Sequence, residues 1–286
     1  MHQEEDWSNI ISSRSVFSLH SFKDVWHYRD LLWMFVKRDI VTNYKQTILG
    51  PLWFFIQPLL TTAMLVIVFG KIAKLSPNDT PQILFYLSGV TAWNYFSECL
   101  LKTSTTFKDN AYIFGKVYFP RLILPLSVIF STLLKFSIQF GLFIIILLYY
   151  ILFRNFHIDY NFTLLLTPLL LVLMAGISLG AGMIITSLTT KYRDLALLIQ
   201  FGVQLLMYAT PVIQPLSNII NSKYKYLILA NPMTPIIETF RVAFLGTGKG
   251  IFSWYQLCYS IIMMFLLLLI GFYTFSKTEK TFTDTV

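Results

Sequence analysis

Six apolar runs, each about as long as a bilayer is thick, dominate the sequence: 51–70, 82–101, 122–152, 162–188, 195–214 and 253–275. A helix needs about 20 apolar residues to cross roughly 30 Å of hydrocarbon at 1.5 Å per residue. The charged side chains inside the runs are Glu98 and Lys135. Only 13% of the chain is charged and 56% is hydrophobic, with a mean hydropathy of +0.64. A soluble domain carries about 25% charged residues, and a soluble globule cannot hide so much apolar surface. The expectation is an all-α membrane protein with six transmembrane helices. The third run exceeds one crossing and should tilt or begin in the cytoplasmic interface.

Six crossings place both termini on one side. With the termini in the cytoplasm, twice as many Lys and Arg fall on inner segments as on outer ones, as the positive-inside rule requires. The net charge of +8 and pI near 9.3 therefore report topology. No polar stretch is long enough to form a nucleic-acid-binding domain. The opening residues MHQEEDWSN are acidic and lack the basic start and apolar core of a signal peptide, which places the N-terminus in the cytoplasm. The chain divides into a polar cytoplasmic N-terminus (1–22), an amphipathic interface helix (23–47) and a single six-helix transmembrane domain (48–286).

Three segments are more than plain loops. In 23–45, Lys23, Asp30 and Lys37, and again Asp24, Arg38 and Lys45, recur at spacings of seven or fourteen, while Trp26, Trp33, Phe35, Val36 and Ile40 fill much of the rest. This pattern suits a helix lying flat in the membrane interface. The inner loop 102–121 mixes basic and aromatic residues and is stopped by Gly115 and Pro120, which fits a short surface helix. In the outer segment 215–252, two stretches too short to span flank Asn231-Pro232, and Thr234-Pro235 reads as an N-cap with proline at the first helical position. A helical hairpin dipping part-way into the membrane follows, allowed only where protein or a wet cavity covers its broken backbone.

Catalytic chemistry finds no support. His2, His20, His27 and His157 are not spaced for a metal, and Cys99 and Cys258 lie in apolar runs, so neither a metal site nor a disulfide framework is expected. Gly248-Lys249-Gly250 lacks the hydroxyl residue of a phosphate loop and has Ala243 where its first glycine belongs. Glu238 and Arg241, three apart, read as a structural ion pair in the hairpin sooner than as catalytic groups. Glu98 and Lys135 both fall in the cytoplasmic half of an antiparallel pair of spans; mutual pairing, cavity lining and interfacial snorkelling all remain open. Trp53, Phe54, Phe55, Trp93, Tyr95, Phe96 and Tyr208 fit either an aromatic belt or faces lining a path for sugars.

Four ordered motifs carry a resemblance. VKRDIVTNYKQTILGPLWFFIQPLL (36–60), FGKVYFPRLILPLS (114–127), KYRDLALLIQFGVQLLMYATPVIQP (191–215) and NPMTPIIETFRVAFLG (231–246) resemble the permease subunits of bacterial polysaccharide ABC exporters. The O-antigen branch is the most similar, and capsule and teichoic acid permeases share much of the pattern. The resemblance implies a homodimer in the inner membrane, paired with two copies of a separate ATPase that binds ATP and Mg, with no cofactor on this chain. Its substrate would be a glycan on undecaprenyl diphosphate. Carried across by position, Lys37, Arg38 and Lys45 become candidates to receive the lipid diphosphate, or else ordinary anionic head groups. The 106–119 segment becomes a coupling helix, with Phe107, Lys108, Tyr112, Ile113 and Phe114 meeting the ATPase. Trp53, Phe54, Phe55, Gln57 and Tyr208 would flank the path, with Pro58 and Pro211 as kinks. The reading from a different class, a membrane-bound glycan-modifying transferase, would need a polar catalytic cluster.

Overall fold

The computed structural model describes residues 25–45, 48–75, 80–114, 119–159, 162–192, 194–219, 223, 225–246 and 250–282. Segment 1–22, Lys23, Asp24 and the Gly248-Lys249 pair lie outside the described residues. In chain order the helices are α1 (Arg29–Tyr44), α2 (Trp53–Leu65), α3 (Gln82–Ser104), two single turns α4 (Thr106–Asp109) and α5 (Ala111–Phe114), α6 (Ile123–Arg154), α7 (Thr167–Thr189), α8 (Leu195–Tyr208), the short α9 (Leu216–Ile219) and α10 (Lys225–Leu229), α11 (Met233–Leu245) and α12 (Trp254–Phe282). A 3-10 turn at Gly50–Leu52 precedes α2, which passes into a π-helix at Val66–Ile72; a second 3-10 turn, Phe162–Leu166, leads into α7.

Among the described residues, four helical stretches are long and apolar enough to cross a membrane: Gly50–Ile72, Ile123–Arg154, Phe162–Thr189 and Trp254–Glu279. The two other expected spans differ for separate reasons. The 23 residues of α3 reach about 34 Å, ample for a crossing, but the helix carries Asn94, Ser97 and Glu98 and is wrapped by protein. Its residues from Leu84 to Trp93 are all buried, and α2, α6, α7, α8 and α11 pack around it. The 14 residues of α8 reach only about 21 Å. The sequence run continues to 214, yet the helix stops at Tyr208 and turns occupy 209–213. Pro211 explains the stop, since it has no N–H to give and its ring would collide with the preceding turn. Pro58, by contrast, is accommodated inside α2.

Leu32, Phe35 and Val36 form the buried side of α1, packed on Phe119, Ile123 and Leu124 at the start of α6. Burial of each such side chain is worth roughly 1.5–3 kcal/mol against exposure to water, more than a surface ion pair's roughly 0–1 kcal/mol, so the apolar face seats α1. Trp33 and Met34 remain exposed on α1, as does Trp26 ahead of it. The second half of the outer segment is more enclosed, because every residue of α11 is buried among α3, α7, α12 and the 3-10 turn before α7.

The start of α11 corrects one expectation. The helix begins at Met233, not after Thr234: Asn231 Oδ1 accepts the Met233 N–H at 3.0 Å, and the Thr234 hydroxyl donates back to the Ile228 carbonyl at 2.6 Å. An Asn side chain two residues upstream satisfies an orphan amide as well as a threonine cap would.

The last helix lies against α7 with almost no space between backbones. A Cβ on Gly180 would stand 2.6 Å from the Leu267 carbonyl carbon, and one on Gly271 would stand 2.6 Å from the Gly180 oxygen. Close approach of this kind is how helices associate in lipid, where apolar burial gives no net drive. Gly180→Val is therefore expected to destabilise the detergent-solubilised protein by about 1–3 kcal/mol or more in thermal unfolding, whereas Gly202→Ala, where nothing lies within 4 Å of the added carbon, should be neutral.

Candidate functional site

Three polar clusters organise the helices. In the first, Lys135 Nζ on α6 lies 2.6 Å from Glu98 Oε2 on α3, and Lys102 Nζ lies 3.0 Å from Glu98 Oε1. The apolar run ends at 101, which assigned Lys102 to a loop; α3 continues to Ser104, so Glu98 and Lys102 become an i,i+4 pair. Lys135 Nζ also stands 5.3 Å from the centre of the Phe54 ring, bringing α2 to the same point. Farther along the α3–α6 contact, Asn94 Nδ2 donates to Gln139 Oε1 at 3.5 Å.

The second cluster joins α1 to the 105–114 segment. Arg38 donates through Nε and Nη2 to Asp39 Oδ1 at 3.1 and 2.8 Å and through Nη1 to Asn110 Oδ1 at 3.2 Å, and its guanidinium carbon lies 4.7 Å from the centre of the Phe35 ring. Its three donor nitrogens are thus engaged by the chain itself. Lys37 and Lys45 are exposed. Around this junction lies a cavity of about 310 Å³ lined by Arg38, Asp39, Thr42, Lys102, Asp109, Asn110 and Tyr112, with Thr106 and the first turns of α6 completing it.

Of the five side chains that the resemblance assigns to ATPase contact, the structure separates the members. Lys108 and Tyr112 are exposed. Ile113 is half-buried against the cluster of Phe35, Phe119 and Ile123. The Phe114 side chain lies outside the described residues. Phe107 has no exposed surface: its ring stacks on Phe275 at 4.7 Å, within a cluster containing Leu179 and Met183, and its amide donates to Thr186 Oγ1 at 3.4 Å. Its apolar ring follows the helical turn of α4 inward to α7 and α12, so it does not form part of an outward face. Nothing in the local sequence distinguishes it from the aromatics around it.

The third cluster is the Glu238–Arg241 pair on α11, both essentially without exposed surface. Arg241 Nη1 donates to Glu238 Oε1 at 3.0 Å and to the Pro211 carbonyl, and Nη2 donates to the Val212 carbonyl at 3.1 Å. The guanidinium carbon lies over the Phe85 ring of α3, 3.7 Å from its centre. Glu238 Oε2 accepts the Ile251 N–H at 3.0 Å. Gly89 makes room: a Cβ there would stand 2.8 Å from Arg241 Nη2. The i,i+3 spacing was visible in the sequence; the carbonyls of 211 and 212, thirty residues away, were not.

The aromatic candidates do not form one surface within the chain. Trp53 and Gln57 are exposed four residues apart on α2, Phe55 is half-buried, and Phe54 is buried beside Lys135. Tyr208, exposed at the end of α8, meets Phe69 edge-on at 6.4 Å and lines a separate cavity of about 320 Å³ with Gln214, Asn218, Leu227 and Ile228.

A family model for the membrane component described as ABC-2 type transporter matches residues 30–245, from α1 through α11. The chain belongs to the ABC-2 type transporter family. Among its relatives in this family, the O-antigen export system permease protein RfbA of Klebsiella pneumoniae is 26% identical over 256 residues, covering 89% of this chain and 94% of the relative. RfbA of Myxococcus xanthus is 26% identical over 223 residues, 78% of this chain and 83% of its own length. The capsule polysaccharide export inner-membrane protein CtrC of Neisseria meningitidis is 23% identical over 245 residues, 80% and 85% of the two chains.

Within this ABC-2 chain the Glu98 triad makes an ordered prediction. Glu98→Gln leaves two lysines without their carboxylate, whereas Lys135→Met leaves Glu98 still paired to Lys102. Glu98→Gln should cost roughly 1–3 kcal/mol in thermal unfolding in detergent, Lys135→Met distinctly less, and the double variant less than the sum of the singles. Additive losses would show that the charges do not act together.

Proposed function

We propose that this chain is the membrane-spanning permease subunit of an ABC exporter that carries polysaccharide of the O-antigen class, linked to undecaprenyl diphosphate, across the bacterial inner membrane. ATP, with Mg, is bound and hydrolysed by a separate ATPase chain. The observation that carries this reading is the near end-to-end match to an O-antigen export permease, 89% of this chain against 94% of that one, within a family model reaching from α1 to α11.

In this reading the protein is a homodimer with two ATPase copies, multi-pass, with both termini in the cytoplasm. Its six crossings are the four apolar stretches, the protein-wrapped α3, and α8 extended by the turns at 209–213. The α10–α11 pair is the re-entrant hairpin, admissible because α11 is covered by protein on all sides. The α4–α5 turns are the coupling segment, and the exposed Lys108 and Tyr112 are its contact residues for the ATPase. Lys37 and Lys45, exposed on the α1 side, are the cations open to a lipid diphosphate. Trp53, Gln57 and Tyr208 offer exposed aromatic and amide groups to the glycan path. The similarity to a capsule export protein supports capsule glycan as the second substrate class.

Deletion of the gene should leave completed lipid-linked glycan inside the cell and strip it from the surface; a normal surface O-antigen would overturn the substrate class, and loss of capsule in its place would favour the second one. Lys108→Glu combined with Tyr112→Ala should reduce recovery of the ATPase with the tagged permease at least about fivefold, read by co-purification.

A further inference from the structure

Arg38 is one of three basic residues that the sequence offers to an anionic lipid, yet its surroundings are those of a joint. Asp39 takes Nε and Nη2, Asn110 takes Nη1, and the planar group rests over Phe35, which is itself packed 5.7 Å from Phe119 at the foot of α6. A guanidinium held on its edges and one face keeps a fixed orientation, a property of the planar fork that a lysine cannot reproduce. Asn110 is fixed from the other side, since its Nδ2 donates to the Thr106 carbonyl at 3.0 Å. The turn that ends in Asn110 is anchored in turn to the distant helices: Thr189 Oγ1 donates to the Ser104 carbonyl at 2.7 Å, and Phe107 is enclosed by α7 and α12.

A displacement of segment 105–110 therefore reaches two places at once. Through Phe107 it pushes α7 and α12, and through Asn110 it pulls on α1.

We infer that Arg38 is a positioning residue that couples α1 to the 105–114 segment through Asn110, so that movement imposed on that segment is delivered to α1, and that it is not a ligand for the lipid diphosphate. The inference rests on the reading of 105–114 as the ATPase contact. Rigid elements tied by a small number of directional contacts move as bodies, and a coupling of this kind is worth about 5- to 150-fold in the linked equilibrium. The neighbouring cavity supports the assignment. It brings the carboxylates of Asp39 and Asp109 beside Arg38 and Lys102, a balanced set that gives no surplus positive charge to a diphosphate.

The test is a double-mutant cycle in the permease–ATPase complex, reconstituted in vesicles containing the lipid-linked glycan, reading glycan delivered to the opposite leaflet per ATP hydrolysed. Arg38→Ala and Asn110→Ala should each lower that ratio about tenfold, and the double variant should be no worse than either single. Arg38→Lys, which keeps the charge and loses the fork, should fall with Arg38→Ala. Asn110→Asp, which keeps an acceptor for the guanidinium but gives up the Nδ2 donation to Thr106, should recover at least about half of the ratio lost in Asn110→Ala, which separates loss of the Arg38 contact from a folding defect. Losses that multiply in the double variant, an ineffective Asn110→Ala, an Asn110→Asp as impaired as Asn110→Ala, or an Arg38→Lys that exports normally would each overturn the inference. Failure of the underlying reading has a separate signature: Lys108→Glu with Tyr112→Ala would leave the ATPase bound, whatever the cycle returns.

Discussion

A guanidinium out of contact with solvent, Arg241, holds a stretch of irregular backbone in the interior of this structure. The chain breaks its helix after Tyr208 and turns through 209–213, leaving backbone carbonyls without helical partners. In hydrocarbon each unsatisfied carbonyl would cost several kcal/mol. Arg241 answers two of them, at Pro211 and Val212, while Glu238 balances its charge and Phe85 covers its face. Removing one partner from such a pair typically costs about 3–5 kcal/mol, because the other charge is left buried and alone. Arg241 thereby ties α11 both to the 211–212 turn and to α3, alongside the apolar packing of Ile236, Ile237, Phe240 and Phe244.

The same economy of charge recurs at the other polar clusters. Glu98 is shared by Lys102 and Lys135 across α3 and α6, and Arg38 by Asp39 and Asn110 across α1 and the 105–114 segment. Each cluster links elements that are distant in sequence through at least one contact, Glu98 with Lys135 and Arg38 with Asn110. Lys37, Lys45 and Lys108 are among the described cations that stay exposed to what lies outside the chain. Charges paired within the chain add directional links between helices that apolar packing seats, and exposed charges face what lies outside. A transporter needs both, since its helices must keep register while a driving subunit moves them.

Much of the fold was legible because lipid permits few solutions. Runs of about twenty apolar residues became helices at 51–70, 122–152, 162–188 and 253–275, with ends close to those read from the sequence. Hydropathy says least where protein replaces lipid as the surroundings. α3 carries Asn94, Ser97 and Glu98 where neighbouring helices cover it, and α11 is buried on every face although it is too short to span. Hydropathy reports transfer into hydrocarbon and is silent on which helix sits inside the bundle. Local rules also misplaced the start of α11, since the capping group is Asn231 and not Thr234. Among the site residues, pairs close in sequence such as Glu238 and Arg241 were visible. Contacts that depend on folding were not: Phe107 with Phe275, Arg38 with Asn110, and Arg241 with the 211–212 carbonyls.

The proposed function joins the family to these contacts: an ABC-2 chain whose 104–110 segment is anchored to α7, α12 and α1. Its most direct test is a vesicle measurement. With this chain and its ATPase in one membrane, lipid-linked O-antigen added to the ATPase side should become accessible, on addition of ATP, to a membrane-impermeant lectin on the opposite side, and only when both chains are present. Accessibility that appears without the ATPase, or a glycan that is chemically altered by this chain alone, would contradict it.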